Sequence, residues 1–283
     1  MSLKLAFSTD NWRPEWWSSE KCFARIKELG GKYVELTTAT GFNLLEGLGF
    51  SPYVSIDHDP YEVRDLLAKY GLQCVSIDAD WPIWSHHSID VLNKTIVWAD
   101  MLGCHTIITT DSDKYPEGRT DTEWLEVIRY HFSCVIPVAK RHNVKIALEP
   151  HGYLTTKPER LLQLVTQNNS NLIGINFDTG NSFIAGEDPV AFLDGVKDHV
   201  IHMHLKDVSE GRAAAMRGEE TGIASSEVAL GEGVNAENIS KCLDIMIATG
   251  REIIVSPEAG GDILTTKSVR WLKDLLQQKG QAV

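Results

Sequence analysis

The chain has 283 residues, 43% of them hydrophobic and 23% charged, with a formal net charge of -12. That composition supports a large core and excludes a disordered chain. The acidic balance lacks the basic footprint that nucleic acid or an anionic membrane surface requires.

The elements alternate along the chain. LKLAFST (3-9) is a short apolar run, followed by an amphipathic stretch near 18-29 that Ser18 or Ser19 opens and Gly30 stops. KYVELT (32-37) precedes a helix near 59-70, and LQCVSID (72-78) one near 88-102, stopped by Gly103. CHTIITT (104-110), VKIALEP (144-150) and LIGINFD (172-178) lead to helices near 121-142, 156-168 and 188-197. HVIHMHLKD (199-207) and EIIVSPE (252-258) lead to helices near 235-249 and 262-279. Parallel strands need crossover helices, and eight strands can close a sheet. The pattern therefore predicts an α/β chain folded as one (β/α)8 TIM barrel, a single domain over 1-283. No apolar run approaches the roughly 18 residues of a membrane span. The opening MSLKLAFSTDNW lacks the charged-then-apolar pattern of a signal peptide. Five widely spaced cysteines without a C-x-x-C pair predict a reduced, cytoplasmic setting and no zinc-thiolate site.

Active sites of such barrels lie at the C-terminal strand ends. Four residues stand out there: Glu149 on the fifth run, Asp178 on the sixth, His204 on the seventh and Glu258 on the eighth. Three carboxylates at one mouth repel unless something pairs them. A divalent cation resolves the conflict, and the mixed oxygen and nitrogen set suits Mn²⁺, Co²⁺, Mg²⁺ or Zn²⁺. Glu149 and Glu258 reach this centre from non-adjacent strands, so a chelated substrate lies between two carboxylates. One can take a proton from the carbon beside a carbonyl and the other can return one. A cation stabilises the enediolate between those steps. That is the outline of an epimerase or an aldose-ketose isomerase.

The stretches IALEPHG, INFDTGNSFIAGEDP, HVIHMHLKDV, LGEG and VSPEAGG resemble the xylose isomerase-like sugar isomerase/epimerase superfamily, over roughly residues 3-279. The resemblance implies that Glu149, Asp178, His204 and Glu258 ligate one metal ion, with the first and last also acting as acid and base. The D-T-G-N, G-E-D-P and H-x-H-L-K-D pattern is most similar to the inosose dehydratase branch. Many members carry a histidine where Asn181 stands here, and epimerases carry a substrate-binding arginine where Lys206 and Glu210 lie. Asn181 still donates a hydrogen bond but cannot titrate.

Other residues join the site more loosely. His202, His204 and Lys206 alternate and so share one strand face. Lys206 is expected to bind substrate oxygen, and His202, one layer deeper, to be a buried partner of the ligands. His151 and Asn181 are expected to hydrogen-bond a sugar hydroxyl. Asn11, Trp12, Trp81 and Trp84 are candidates for the pocket wall, against a reading as loop anchors. Glu35, at the end of the second run, faces either substrate or a cation. Residues 208-233 are too long for a plain connection and read as a mobile lid or an oligomer contact, so a homo-oligomer stays open. Gly260-Gly261 read as a tight turn or a phosphate site. The expected substrate is a small carbohydrate or cyclitol. A dehydratase of a keto-inositol at the same centre is the nearest alternative. An apurinic-site endonuclease, which needs a basic DNA face, and a metal-free binding protein are the others.

Overall fold

The computed structural model describes residues 3-41, 43-111, 115-218, 222 and 226-281, the side chain of Asp80 excepted. Eight parallel strands form the barrel: β1 Lys4–Ser8, β2 Tyr33–Ala39, β3 Gln73–Pro82, β4 Thr106–Thr110, β5 Lys145–Glu149, β6 Ile173–Asp178, β7 Val200–Lys206 and β8 Ile254–Glu258. Each pairs with its neighbour in sequence, and β1 pairs with both β2 and β8, so the sheet closes. Outside it lie α1 Ser19–Glu28, α2 Pro60–Tyr70, α3 Ser88–Met101, α4 Asp121–His142, α5 Pro158–Thr166, α6 Pro189–Val196, α7 Ala236–Thr249 and α8 Asp262–Gln278.

The helices start where side chains can satisfy free backbone N–H groups. Ser18 accepts from the Lys21 amide, and Thr120 and Glu123 form a reciprocal capping box. Asp59 and Asp188 cap helices whose first residue is proline, which lacks the N–H that the first turn would leave unpaired. Between strands and helices, Phe7, Phe23, Ile77, Phe132, Phe177 and Leu243 are completely buried. Burying each such side chain contributes about 1.5–3 kcal/mol.

Several features differ from the sequence expectation. β3 runs on to Pro82, past the predicted end at 78, because a register shift lets Pro82 pair with Thr110. Five short segments also turn helical: Thr9–Glu15, Leu44–Gly47, Thr179–Ile184, Lys197–His199 and Glu210–Met216. None is long enough to show helical periodicity. A two-residue strand, Val54–Ser55, also extends the sheet beside β2.

The barrel interior is polar. Glu35, Ser76, Asn176, His202 and Ser256 are all fully buried. Such groups are costly unless they bond to one another. Among the described residues all five cysteines are free, and no helix is long and apolar enough to cross a membrane.

Candidate metal centre

Glu149 ends β5, Asp178 ends β6 and Glu258 ends β8, while His204 lies two residues before the end of β7. Register places Asp178 beside His204 and Lys206 beside Glu258. One donor atom from each of Glu149, Asp178, His204 and Glu258 lies within 4.8 Å of the others. Donors about 2.1 Å from a single ion stand at most about 4.2 Å apart, so a small contraction closes the set.

Of the three carboxylates, only Asp178 leaves an oxygen without a hydrogen-bond partner. Asp178 Oδ1 accepts from the amides of Gly180 and Asn181 and so caps the short helix after β6. Its buried Oδ2 has no hydrogen-bond partner, with the Lys206 ammonium 3.2 Å away. Glu149 Oε1 accepts from Asn181 Nδ2 at 2.8 Å, and its Oε2 lies 3.3 Å from His204 Nδ1. Glu258 Oε2 is 2.6 Å from Lys206 Nζ, and its Oε1 is 2.9 Å from His204 Nδ1. The unsatisfied Asp178 oxygen, with carboxylates converging on one imidazole nitrogen, fits a divalent cation.

The electrostatics follow from burial and crowding. Burial, together with the charges of Glu258 and Glu149, pushes Asp178 up to about 6 against the pull of Lys206. Burial alone would lower His204, yet Glu35, Glu258 and Glu149 together hold it well above its usual value. Burial would raise Glu258, but Lys206 and His204 hold it well below the ordinary carboxylate range.

Lys206 and Asn181 interlock with this set. Lys206 Nζ donates to Asn181 Oδ1 at 2.9 Å. The lysine stem passes so close to Gly180 that a Cβ there would stand 2.6 Å from it, which explains the glycine of D-T-G-N. Lys206 faces a cavity of about 440 Å³ at the mouth, lined also by His151, Thr37, Asp78, Tyr53 and Arg13. Two buried atoms of lining residues, His151 Nδ1 and Thr37 Oγ1, have no hydrogen-bond partner. A second groove, of about 810 Å³, lies at the far end of the barrel beside Lys145 and Ile173, away from the carboxylates.

Several sequence expectations need correction. Trp12 does not line the cavity: it is completely buried, its indole N–H donates to Asp262, and it stacks on Trp17. Trp84 is an anchor too, donating to the Asp111 carbonyl and packing on Tyr115 and Trp124. Trp81 is absent from the lining as well. Asn11 does line the mouth, but both ends of its amide are spent on Pro257 and Ala259 of the β8 loop. Glu35 lies mid-strand in β2, fully buried below the mouth and bonded to His202 and His204.

Gly260 and Gly261 cannot cradle a phosphate, because their amides donate to Ser226 and Asn11 and the Glu15 carboxylate sits beside Gly261. Gly261, at φ 93°, is the tight turn instead. Within 208-233 the described residues include the helix Glu210–Met216 and several backbone bonds to the rest of the barrel. Gly218, Gly222 and Leu230 donate to Ile184, His151 and Ser268, and Gly260 donates back to Ser226. Residues 219-221 and 223-225 of that segment lie outside the described residues. Sequence reading missed Tyr53 and Arg13, which sit in connections without periodic pattern.

A family model described as xylose isomerase-like TIM barrel matches residues 23-275, and the chain belongs to that family. The chain is 25% identical to an inosose dehydratase of Geobacillus kaustophilus over 57% of its length and 58% of the relative's, so it spans under two thirds of that relative. Its fold is similar to that of a D-tagatose 3-epimerase-like protein, at a TM-score of 0.77 and 18% identity over 98% of both chains. It is also similar to that of the IolI protein with a bound zinc atom, at a TM-score of 0.71 and 15% identity over 98% of this chain and 95% of that one.

Proposed function

We propose that this member of the xylose isomerase-like TIM barrel family is a divalent-metal-dependent isomerase or epimerase of a keto-sugar or keto-cyclitol, working by proton transfer through an enediolate. The observation that carries this reading is the convergence of Glu149, Asp178, His204 and Glu258 around an unsatisfied buried oxygen. These four would hold one ion, with Mn²⁺, Co²⁺, Mg²⁺ and Zn²⁺ all suited to the donor set; the IolI neighbour's zinc is in keeping with this. The ion's part is to polarise the substrate carbonyl and stabilise the charge that develops on its oxygen.

The chain's own residues do the rest. One of Glu149 and Glu258 takes the proton from the carbon next to the carbonyl, and the other delivers a proton at the far side. Lys206, its ammonium fixed by Asp178, Glu258 and Asn181, supplies a positive charge to a substrate oxygen in the cavity. The unpartnered His151 nitrogen offers a hydrogen bond to a hydroxyl. Asn181 orients Glu149 and Lys206 together, a role that needs an amide and no titration. The whole chain, 1-283, acts as one domain in this reading, and its five free thiols fit a reducing cytoplasmic setting.

A second reading is favoured by the inosose dehydratase relative: the same proton abstraction followed by loss of a β-hydroxyl. One experiment separates the two. The metal-loaded protein is incubated in heavy water with a panel of ketoses and inososes, and products are followed by NMR and mass spectrometry. Solvent deuterium at the carbon beside the carbonyl is expected. A product lighter by one water selects the dehydratase. A product without solvent deuterium selects a hydride shift and rejects the two-carboxylate route.

A further inference from the structure

Beneath the four candidate ligands lies a buried polar layer of Glu35, Ser76, Asn176 and His202, none of which lines the cavity at the mouth. Its centre is Glu35 of β2, with no exposed surface. Glu35 Oε1 stands 2.9 Å from His204 Nε2, and Oε2 stands 2.9 Å from His202 Nε2 and accepts from Ser76 Oγ at 3.0 Å. His202 Nδ1 is 2.8 Å from Asn176 Oδ1. Asn176 Nδ2 is 3.1 Å from both Glu149 Oε2 and His204 Nδ1. The layer thus starts at one ligand, His204, and returns to it and to a second, Glu149.

We infer that Glu35 is the positioning residue of the centre: it fixes the ring orientation and tautomer of His204, and through His202 and Asn176 it fixes Glu149. The inference rests on the metal reading proposed above. A carboxylate facing an imidazole nitrogen at 2.9 Å accepts the hydrogen that nitrogen carries. His204 therefore bears hydrogen on Nε2. Its Nδ1, between Glu149 and Glu258, is the atom aimed at the ligand group. Outer-shell carboxylates of this kind typically hold a ligating imidazole in place and raise its basicity.

Glu35, His202 and His204 also have donor atoms within 4.8 Å of one another, the spacing a second ion would need. That arrangement would make the His204 ring bridge two cations and shed both ring hydrogens. It would also displace the Ser76 bond. A hydrogen-bonded floor needs neither.

The test uses the full chain and zinc alone. Binding is measured by competition with a chromophoric chelator, for the parent and for Glu35→Gln. A glutamine has a single acceptor oxygen, so it cannot serve both histidines. The variant should keep its circular dichroism and one-to-one stoichiometry while zinc affinity falls about 10–100-fold. Long-range ¹⁵N–¹H spectra of the zinc-loaded parent should show His204 protonated at Nε2 only, and this measurement stands even if the variant misfolds. Hydrogen on Nδ1, two zinc ions per chain, or a variant that binds as tightly as the parent each overturns the inference. A parent that takes up no zinc removes the metal reading along with it. A parent that binds one ion with the variant unchanged removes this inference alone.

Discussion

The two halves of the barrel mouth are built by different rules. On the β5–β8 side the four candidate ligands and Lys206 stand on strands and are held by several partners: Asp178 has no exposed side-chain surface and Lys206 only 6%. On the β1–β4 side the cavity is walled partly by connections. There Tyr53 donates to Asp10 at 2.6 Å and Arg13 donates to Tyr53 at 3.0 Å, with Arg13 63% and Asp10 37% exposed. The exposed Arg13–Asp10 ion pair, at 3.6 Å, contributes about 0–1 kcal/mol. In the reading proposed above, the chemistry falls on the strand-borne half, while the loop-walled half, which would meet the rest of the substrate, can be remodelled in part at little cost in stability.

The largest effect should come from the strand-borne half. Glu149→Gln and Glu258→Gln should each lower kcat by about 10²–10⁴-fold, the usual worth of a positioned acid or base. Metal content is measured alongside, since both are ligands. In heavy water the variant that keeps the proton-removing carboxylate should still exchange substrate hydrogen without forming product. Near-normal turnover by both variants with metal in place would dissolve the distinction between the halves.

The pH dependence of metal binding should be smaller but still large. His204 is held protonated above its usual range by the surrounding carboxylates, so a cation must displace that proton. Affinity should therefore rise with pH, by up to about tenfold per unit for each proton released, until the imidazole ionises unaided. Below about 6, where Asp178 also carries a proton, the slope should steepen. Titration calorimetry over pH 5 to 8 checks this, and a flat profile would contradict it.

The smallest effect belongs to the other half. Tyr53→Phe removes one hydroxyl from the cavity lining and should raise KM by about tenfold or less, in line with about 0.5–1.5 kcal/mol for one hydrogen bond, with kcat and metal content unchanged. A large loss of kcat would mean that Tyr53 belongs with the chemistry.

The same division explains what could be read from sequence. The strands announce themselves through short β-branched runs, and a charged residue at the close of several of the runs marks the rim. Glu149, Asp178 and Glu258 were legible that way, and His202, His204 and Lys206 through their alternation. Glu35 was half legible: the run KYVELT stops at 37, but β2 extends to Ala39, which sinks Glu35 a layer deeper than the mouth. The connections carry no period, so Tyr53 and Arg13 left no trace. The tryptophans misled because an indole in a rim loop can either face substrate or anchor the loop. Trp12 and Trp84 have N–H partners in Asp262 and Asp111 that only the folded chain reveals.

The account depends most on one metal ion held by the β5–β8 half. Its most direct test is elemental analysis of the purified parent beside Asp178→Asn, a change that keeps a helix-capping oxygen and leaves the core untouched. One divalent ion per parent chain, and a sharply lower content in a variant with the parent's circular dichroism, is the expected result. Equal metal content in the two proteins would contradict it.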